Sequence, residues 1–375
     1  MKSHGYKLML TLFLCAAAAY HNVNAQTYVL DNFEASSIRI VQPKEPSDWK
    51  YLWNLTFGGP GTSLSTLEKH DGAKSLLSAF EGGANWQFQF YTYTESLPGW
   101  SNGWKYMRRF VNNPSMDPSG GSPAWQTGRI NRMRFWIKVP PTVSKAGSGD
   151  HNFEFGTYLA RSGSESSGET DNHHHYHVFD IGYSGHWEQL IIDTHPDHIR
   201  GANGSTEHPD LLYPYGDGNT YFDLMTRFYL DFYYFTSPGS YYIDGFELYQ
   251  DQNPHNVDQV RSLHAVYVPE TNEVRVGWAR RKNQDSVKHE VRYAFADIFS
   301  IGWASATVAP NGTVTPPGSG GFNNMSWSTT SLTLSGRSML YVAIKPQDSS
   351  LFSQISIPLT SGSSIGAPPN LRVIQ

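Results

Sequence analysis

Nine of the fifteen histidines fall between His151 and His208, and four of them crowd into Asn172-His-His-His-Tyr-His177. On an extended strand successive side chains alternate sides, so His173, His175 and His177 share one face. Imidazoles at alternate positions, completed by a ligand from a neighbouring strand, can hold zinc, copper or iron. No carboxylate stands at a recognisable spacing from them. The later Thr194-His-Pro-Asp-His198 suits a turn equally well. A transition-metal site on His173, His175 and His177 is one expectation. A polar hairpin whose imidazoles bond to backbone or water is the other.

A second set of candidates comes from strand alternation. In Trp86–Thr94 the apolar Trp86, Phe88 and Phe90 alternate with Gln87, Gln89, Tyr91 and Tyr93. In Asn131–Val139 the set Met133, Phe135, Ile137 and Val139 alternates with Arg132, Arg134, Trp136 and Lys138. In Phe222–Phe235 the core set is Phe222, Leu224, Phe228, Leu230 and Phe232, against Asp223, Arg227, Tyr229, Asp231 and Tyr233. Aromatic rings mixed with Gln, Arg and Asp suit sugars, which offer an apolar C–H face and hydroxyls for planar bidentate groups. The arginines favour acidic glycans. The expected binding face is Gln87, Gln89, Tyr91, Tyr93, Arg132, Arg134, Trp136, Arg227, Tyr229, Asp231 and Tyr233. The alternative is an ordinary solvated outer face, and the sequence leaves open whether the three strands share a sheet. Trp100, Trp104 and Tyr106, in a Gly-rich loop, read as a binding platform or as a lid on the core.

The elements that must position these residues are short apolar or alternating runs bounded by Gly, Pro, Asn and Asp. Long helical periodicity is absent. Runs at Trp86–Thr94, Ile130–Val139, Asn152–Leu159, His175–Ile181, Trp187–Asp193, Phe222–Phe235 and Tyr241–Tyr249 predict an antiparallel β-sandwich over residues 26–250. Residues 251–261 read as a linker. Runs at Glu273–Ala279, His289–Ala294, Ser331–Leu334, Met339–Lys345 and Phe352–Pro358 predict a second, smaller sandwich over 262–359. Residues 360–375, rich in Gly, Ser and Pro, predict a flexible tail.

Composition narrows the class. The 375 residues are 14% aromatic and 16% charged, with a formal charge of −5, which excludes disorder and argues against nucleic-acid binding. Residues 1–25 read as a secretory signal: Lys2 and Lys7 lead the apolar Leu8–Ala19, and Val23-Asn24-Ala25 offers a cleavage site. The apolar run is too short to span a bilayer, and no other segment could. Cleavage before Gln26 leaves 26 Lys and Arg against 33 Asp and Glu, a charge of about −7. It also removes Cys15, the single cysteine, so disulfides and thiolate metal sites are excluded. The expected location is secreted, periplasmic or at the cell surface, and export without disulfides favours a bacterial source.

The opening Tyr28-Val-Leu-Asp-Asn-Phe-Glu34, the strands Met133–Lys138 and Trp187–Asp193, and the closing Tyr242-Ile-Asp-Gly-Phe-Glu-Leu-Tyr249 resemble the jelly-roll carbohydrate-binding modules of secreted glycan-degrading systems. The resemblance implies that first and last strands pair, with a structural calcium near Asp31, Glu34 and Asp244. Val274–Trp278, Glu290–Tyr293 and Leu340–Lys345 resemble a fibronectin type III sandwich, which implies a spacer. Jelly-roll polysaccharide lyases use a Tyr or His base with Arg or Gln on the uronic carboxylate. Tyr158, Arg161, His175 and His177 supply those types, although the lyase strand motifs are missing. The reading is an all-β, secreted protein that binds a neutral or acidic polysaccharide. The alternatives are a polysaccharide lyase or hydrolase with a His-centred site, and a His-rich surface metal binder. Fold alone decides between none of them.

Overall fold

A computed structural model describes residues 27–31, 33–34, 51–55, 61–80, 86–92, 132–142, 152–159, 174–192, 198–200, 225–232, 239–249, 260–280, 286–316, 324–359 and 371–373. The signal segment, His173, Tyr93, Arg161, Tyr233 and the Trp100–Tyr106 loop lie outside them. The chain is all-β. In the first part run β1 (Thr27–Asp31), β2 (Tyr51–Leu55), β3 (Gly61–Ser65), β4 (Ser75–Phe80), β5 (Trp86–Thr92), β6 (Arg132–Lys138), β7 (Phe153–Leu159), β8 (His174–Phe179), β9 (Glu188–Ile192), β10 (His198–Arg200), β11 (Met225–Phe232) and β12 (Gly239–Tyr249). The second part holds β13 (Arg261–Val268), β14 (Glu273–Ala279), β15 (His289–Ala294), β16 (Thr307–Val314), β17 (Asn324–Thr329), β18 (Met339–Pro346) and β19 (Ser353–Pro358), and β20 (Leu371–Val373) closes the chain. Among the described residues no helix is long and apolar enough to cross a membrane.

The first sandwich is a jelly roll whose two walls are a six-stranded sheet, ordered β10-β8-β7-β11-β5-β2, and part of a ten-stranded sheet. The ten-stranded sheet follows β17-β14-β13-β9-β6-β12-β1-β20, with β4 and β3 branching from β12. First and last strands pair, as the resemblance implies: β1 runs antiparallel to the second half of β12 and β4 to its first half. The strand changes partner at Gly245, whose φ of 61° a side chain resists. Alternation sends Met133, Phe135, Ile137, Leu190, Ile192, Ile243 and Phe246 inward, all buried. They meet Phe153, Phe155, Phe179 and Leu230 from the six-stranded wall. Phe135 stacks on Phe246 at 4.5 Å and lies about 6 Å from Phe155, so the two walls interlock through aromatic rings.

The second sandwich places β13, β14 and β17 over a four-stranded sheet, β16-β15-β18-β19. Val274, Val276, Trp278, Val291, Leu340 and Val342 fill the space between. The two sandwiches share a sheet. Strand β13 pairs with β14 on one side and with β9 on the other, through His264↔Leu190 and Ala265↔Gln189. Ile191 of β9 packs on the second core while its neighbours Leu190 and Ile192 fill the first.

Three expectations change. The tail is not loose throughout: β20 pairs parallel with β1, at what would otherwise be an open sheet edge. Ser331–Leu334 is not a strand. Leu332 and Leu334 are buried there, but the Asn272 amide donates to the carbonyls of Thr330 (3.0 Å) and Leu332 (2.9 Å), which withdraws them from any ladder. Strand β16, absent from the predicted runs, contains Pro310 and Asn311-Gly312; it lies at the sheet edge, where a proline costs no ladder bond.

Candidate functional site

Two places collect the chemistry. The first is the six-stranded wall. Strands β5 and β11 are neighbours, and their register sets Tyr91 beside Arg227, Gln89 beside Tyr229 and Gln87 beside Asp231. On the other side of β11, β7 continues these rows: Tyr158 pairs with Arg227, Gly156 with Tyr229 and Glu154 with Asp231. Residues paired across a ladder occupy the same face. The rows between them hold Phe155 and Leu230, both buried in the core, so the Tyr, Gln, Arg and Asp rows belong to the face away from it. Gly156 leaves the position between Tyr176 and Tyr229 without a side chain. The β7–β8 half of this face is covered, since Glu154, Tyr176 and Val178 are buried.

Strand β6 does not join them. It lies in the ten-stranded sheet, on the opposite wall, so Arg132, Arg134 and Trp136 are split from Gln87, Gln89, Tyr91, Arg227, Tyr229 and Asp231. They do face away from the first core, as alternation predicts, but Arg132 is buried, Arg134 is engaged by Glu247, and Trp136 is only 4% exposed.

The His cluster is taken apart in the same way. His175 and His177 fall in one row of β8, paired with Thr157 and Phe155, and His177 is turned into the core. His177 is 0% exposed, edge-on to Phe155 at 6.3 Å. Tyr158 falls in the alternate row of β7, in register with Arg227 rather than with the His positions. Strand β10 pairs His198 with Tyr176, also across the sheet from His177. Among the described residues no three His, Cys, Asp or Glu side chains gather as a metal would require.

The second place is a cavity of about 350 Å³ where the sandwiches meet. Its floor is Trp136, with Gln189 beside it on β9. Trp187 and the loop of residues 66–74 form one wall, and Tyr267 of β13 the other. His70 stacks on Trp136 at 4.2 Å and meets Trp187 edge-on at 5.9 Å. Two carboxylates hold this loop. Asp244 accepts the N–H groups of His70 (2.8 Å) and Asp71 (3.0 Å), besides that of Gly245. Glu34 accepts those of Ala73 (2.7 Å) and Lys74 (2.9 Å). These two of the three residues expected near calcium thus act as loop caps, while Asp31 pairs with Phe246. Burial pushes the Asp244 carboxyl up to about 7, against the pull of its three N–H donors. Lys138 pairs with Glu68 at 2.7 Å on the wall, and His186 with Glu270 at 2.8 Å.

Sequence reasoning missed His70, Gln189, Glu68 and Tyr267. Glu68 and His70 come from one turn, Gln189 from a strand of the first sandwich and Tyr267 from a strand of the second, and no local spacing joins them. The nearest signal was Trp187-Glu-Gln-Leu, whose Gln alternates with core residues just as Gln87 and Gln89 do.

No family model matches this chain, and no curated protein matches it. Solved structures give weak likenesses. A family 11 carbohydrate-binding module from Clostridium thermocellum, in complex with a β-1,3-1,4-mixed-linked tetrasaccharide, is 13% identical, covering 57% of this chain and 96% of its own, at a TM-score of 0.26. The glycoside hydrolase domain of Endo-D from Streptococcus pneumoniae R6 is 10% identical, covering 89% and 43%, at 0.27. A β-1,2-glucanase from Parabacteroides distasonis is 9% identical, covering 86% and 38%, at 0.27. The chain spans less than half the length of those two enzymes. Likenesses at this level bear on neither activity nor ligand.

Proposed function

We propose that this is an exported polysaccharide-binding protein, its glycan lying along the β5–β11 half of the six-stranded wall. The observation that carries the reading is the register of Gln87, Gln89 and Tyr91 beside Asp231, Tyr229 and Arg227. It sets stacking groups and bidentate hydrogen-bonding groups in adjacent rows, one sugar width apart. Arg227 favours a glycan with acid groups. The second sandwich, with its three-plus-four strand order, serves as a fibronectin type III-like spacer. Export rests on the signal-like residues 1–25.

The test incubates protein from Gln26 onward with neutral and acidic polysaccharides. It scores pull-down, new reducing ends and the ultraviolet absorbance of an unsaturated uronic product. Retention without product is expected. Product formation would replace the binding reading with an enzyme.

A further inference from the structure

The cavity between the sandwiches has the makings of a ligand site separate from the sheet face. Gln189 lines the cavity and is 4% exposed, and its side-chain oxygen is buried with no hydrogen-bond partner in the protein. A buried amide oxygen left in this state costs free energy that an N–H or O–H donor recovers. Nδ1 of His70 also lacks a hydrogen bond, its nearest charged atom being Asp71 Oδ2 at 3.6 Å. Two residues with an unmet polar atom thus line one aromatic-walled cavity.

The charges around it are largely paired. Lys138 is matched by Glu68 and His186 by Glu270; Lys69 remains, exposed at the rim. A paired ammonium and carboxylate still present donors and acceptors, but little net field. Such a lining suits a neutral, polyhydroxylated ligand better than an anion. The half-buried Trp187 and Tyr267 supply apolar faces, whereas Trp136 is already covered by His70. A volume of about 350 Å³ stands at the small end of ligand sites and admits one or two sugar rings, not a chain.

We propose that this cavity is a second carbohydrate site, selective for a neutral mono- or disaccharide or a free chain end. A sugar hydroxyl donates to Gln189 Oε1, and others bridge the Lys138–Glu68 pair. The ligand touches β6 and β9 of one sandwich and β13 of the other, so its binding fastens the joint. This site goes beyond the polysaccharide face and stands on different residues.

The test is calorimetric titration of the protein with cellobiose, maltose and lactose to 50 mM, alongside the melting temperature with and without each sugar. At least one disaccharide is expected to bind in the millimolar range and raise the melting temperature. Gln189→Leu, which keeps the volume but removes the acceptor, weakens binding at least tenfold. Trp187→Ala, at a partly exposed position, does the same. Tyr229→Ala leaves disaccharide binding intact while abolishing polysaccharide retention, which separates failure of one site from failure of the other. Absence of binding by all three sugars, or binding unchanged in both cavity variants, overturns the proposal.

Discussion

Glu188 and His264, both buried, approach to 3.8 Å where strand β9 of the first sandwich meets β13 of the second. His264 Nδ1 lies 2.9 Å from the Ser262 carbonyl and must carry a proton to bond it. Nε2 lies 3.3 Å from the Asp180 carbonyl and faces the Glu188 carboxyl. Arg275 adds its guanidinium at 3.5 Å, and Gly182 donates its N–H at 2.8 Å. Burial pushes Glu188 above its usual range, while His264 and Arg275 pull it back. The joint holds a charge cluster inside a shared sheet.

Removing the centre of that cluster strands its partners. Glu188→Ala leaves His264 and Arg275 without their counter-charge and is expected to cost about 3–5 kcal/mol. Glu68→Ala breaks only the more exposed pair with Lys138 and is expected to cost about 0–1 kcal/mol. Denaturant unfolding measures both; equal losses would show that the joint does not depend on the cluster.

The sandwich fold was legible because alternation is local. The inward residues of β6 and β11 could be read from the strand itself, and Met133, Phe135, Ile137 and Leu230 are buried as read. Which wall a strand joins depends on long-range pairing, so Trp136 was grouped with Tyr229 although they lie on opposite walls. The histidines misled for a related reason. His175 and His177 fall in one row of β8, but His177, read as a candidate ligand or base, sits beside Phe155 inside the core. The junction cavity was illegible, since its residues approach only once β9 and β13 have paired.

Opposite pH slopes are hidden in the stability of the folded chain. His289 is buried, and burial lowers its pKa to about 4, Asp348 opposing and Arg280 assisting. The unfolded chain then binds the extra proton between about pH 6.5 and 4, so stability falls as pH drops through that window, by on the order of 3 kcal/mol. Asp244, raised to about 7, does the reverse: the folded state holds the extra proton, and stability falls as pH rises from about 3.8 to 7. Relative to the wild type, His289→Leu should tilt the melting temperature downward with rising pH between 4 and 6.5. Asp244→Asn should tilt it upward over about 4 to 7. Unchanged slopes would refute either assignment.

Gly72 ties the 66–74 loop to Glu34. Its φ is 64°, and an added Cβ would lie 2.3 Å from the Glu34 carboxyl oxygen that caps Ala73 and Lys74. Gly72→Ala should cost about 1–3 kcal/mol through backbone strain and the displaced cap. Because the same loop carries Glu68 and His70, disaccharide affinity should fall with it, while polysaccharide retention on the other wall persists. Titration calorimetry beside a melting curve reads both, and affinity equal to the wild type would detach the loop from the cavity.

His177 offers the sharpest contrast between a binding face and a catalytic histidine. Its ring fills space beside Phe155 within the first core, so His177→Ala opens a cavity and should lower stability by about 2–4 kcal/mol. At temperatures where that variant remains folded, polysaccharide retention should equal that of the wild type. Tyr229→Ala, one position from the buried Leu230 but on the outer row, should abolish retention with little change in melting. If His177→Ala instead kept its melting temperature and lost a measurable turnover, the imidazole would have to reach substrate through the sheet, and its placement inside the sandwich would be wrong.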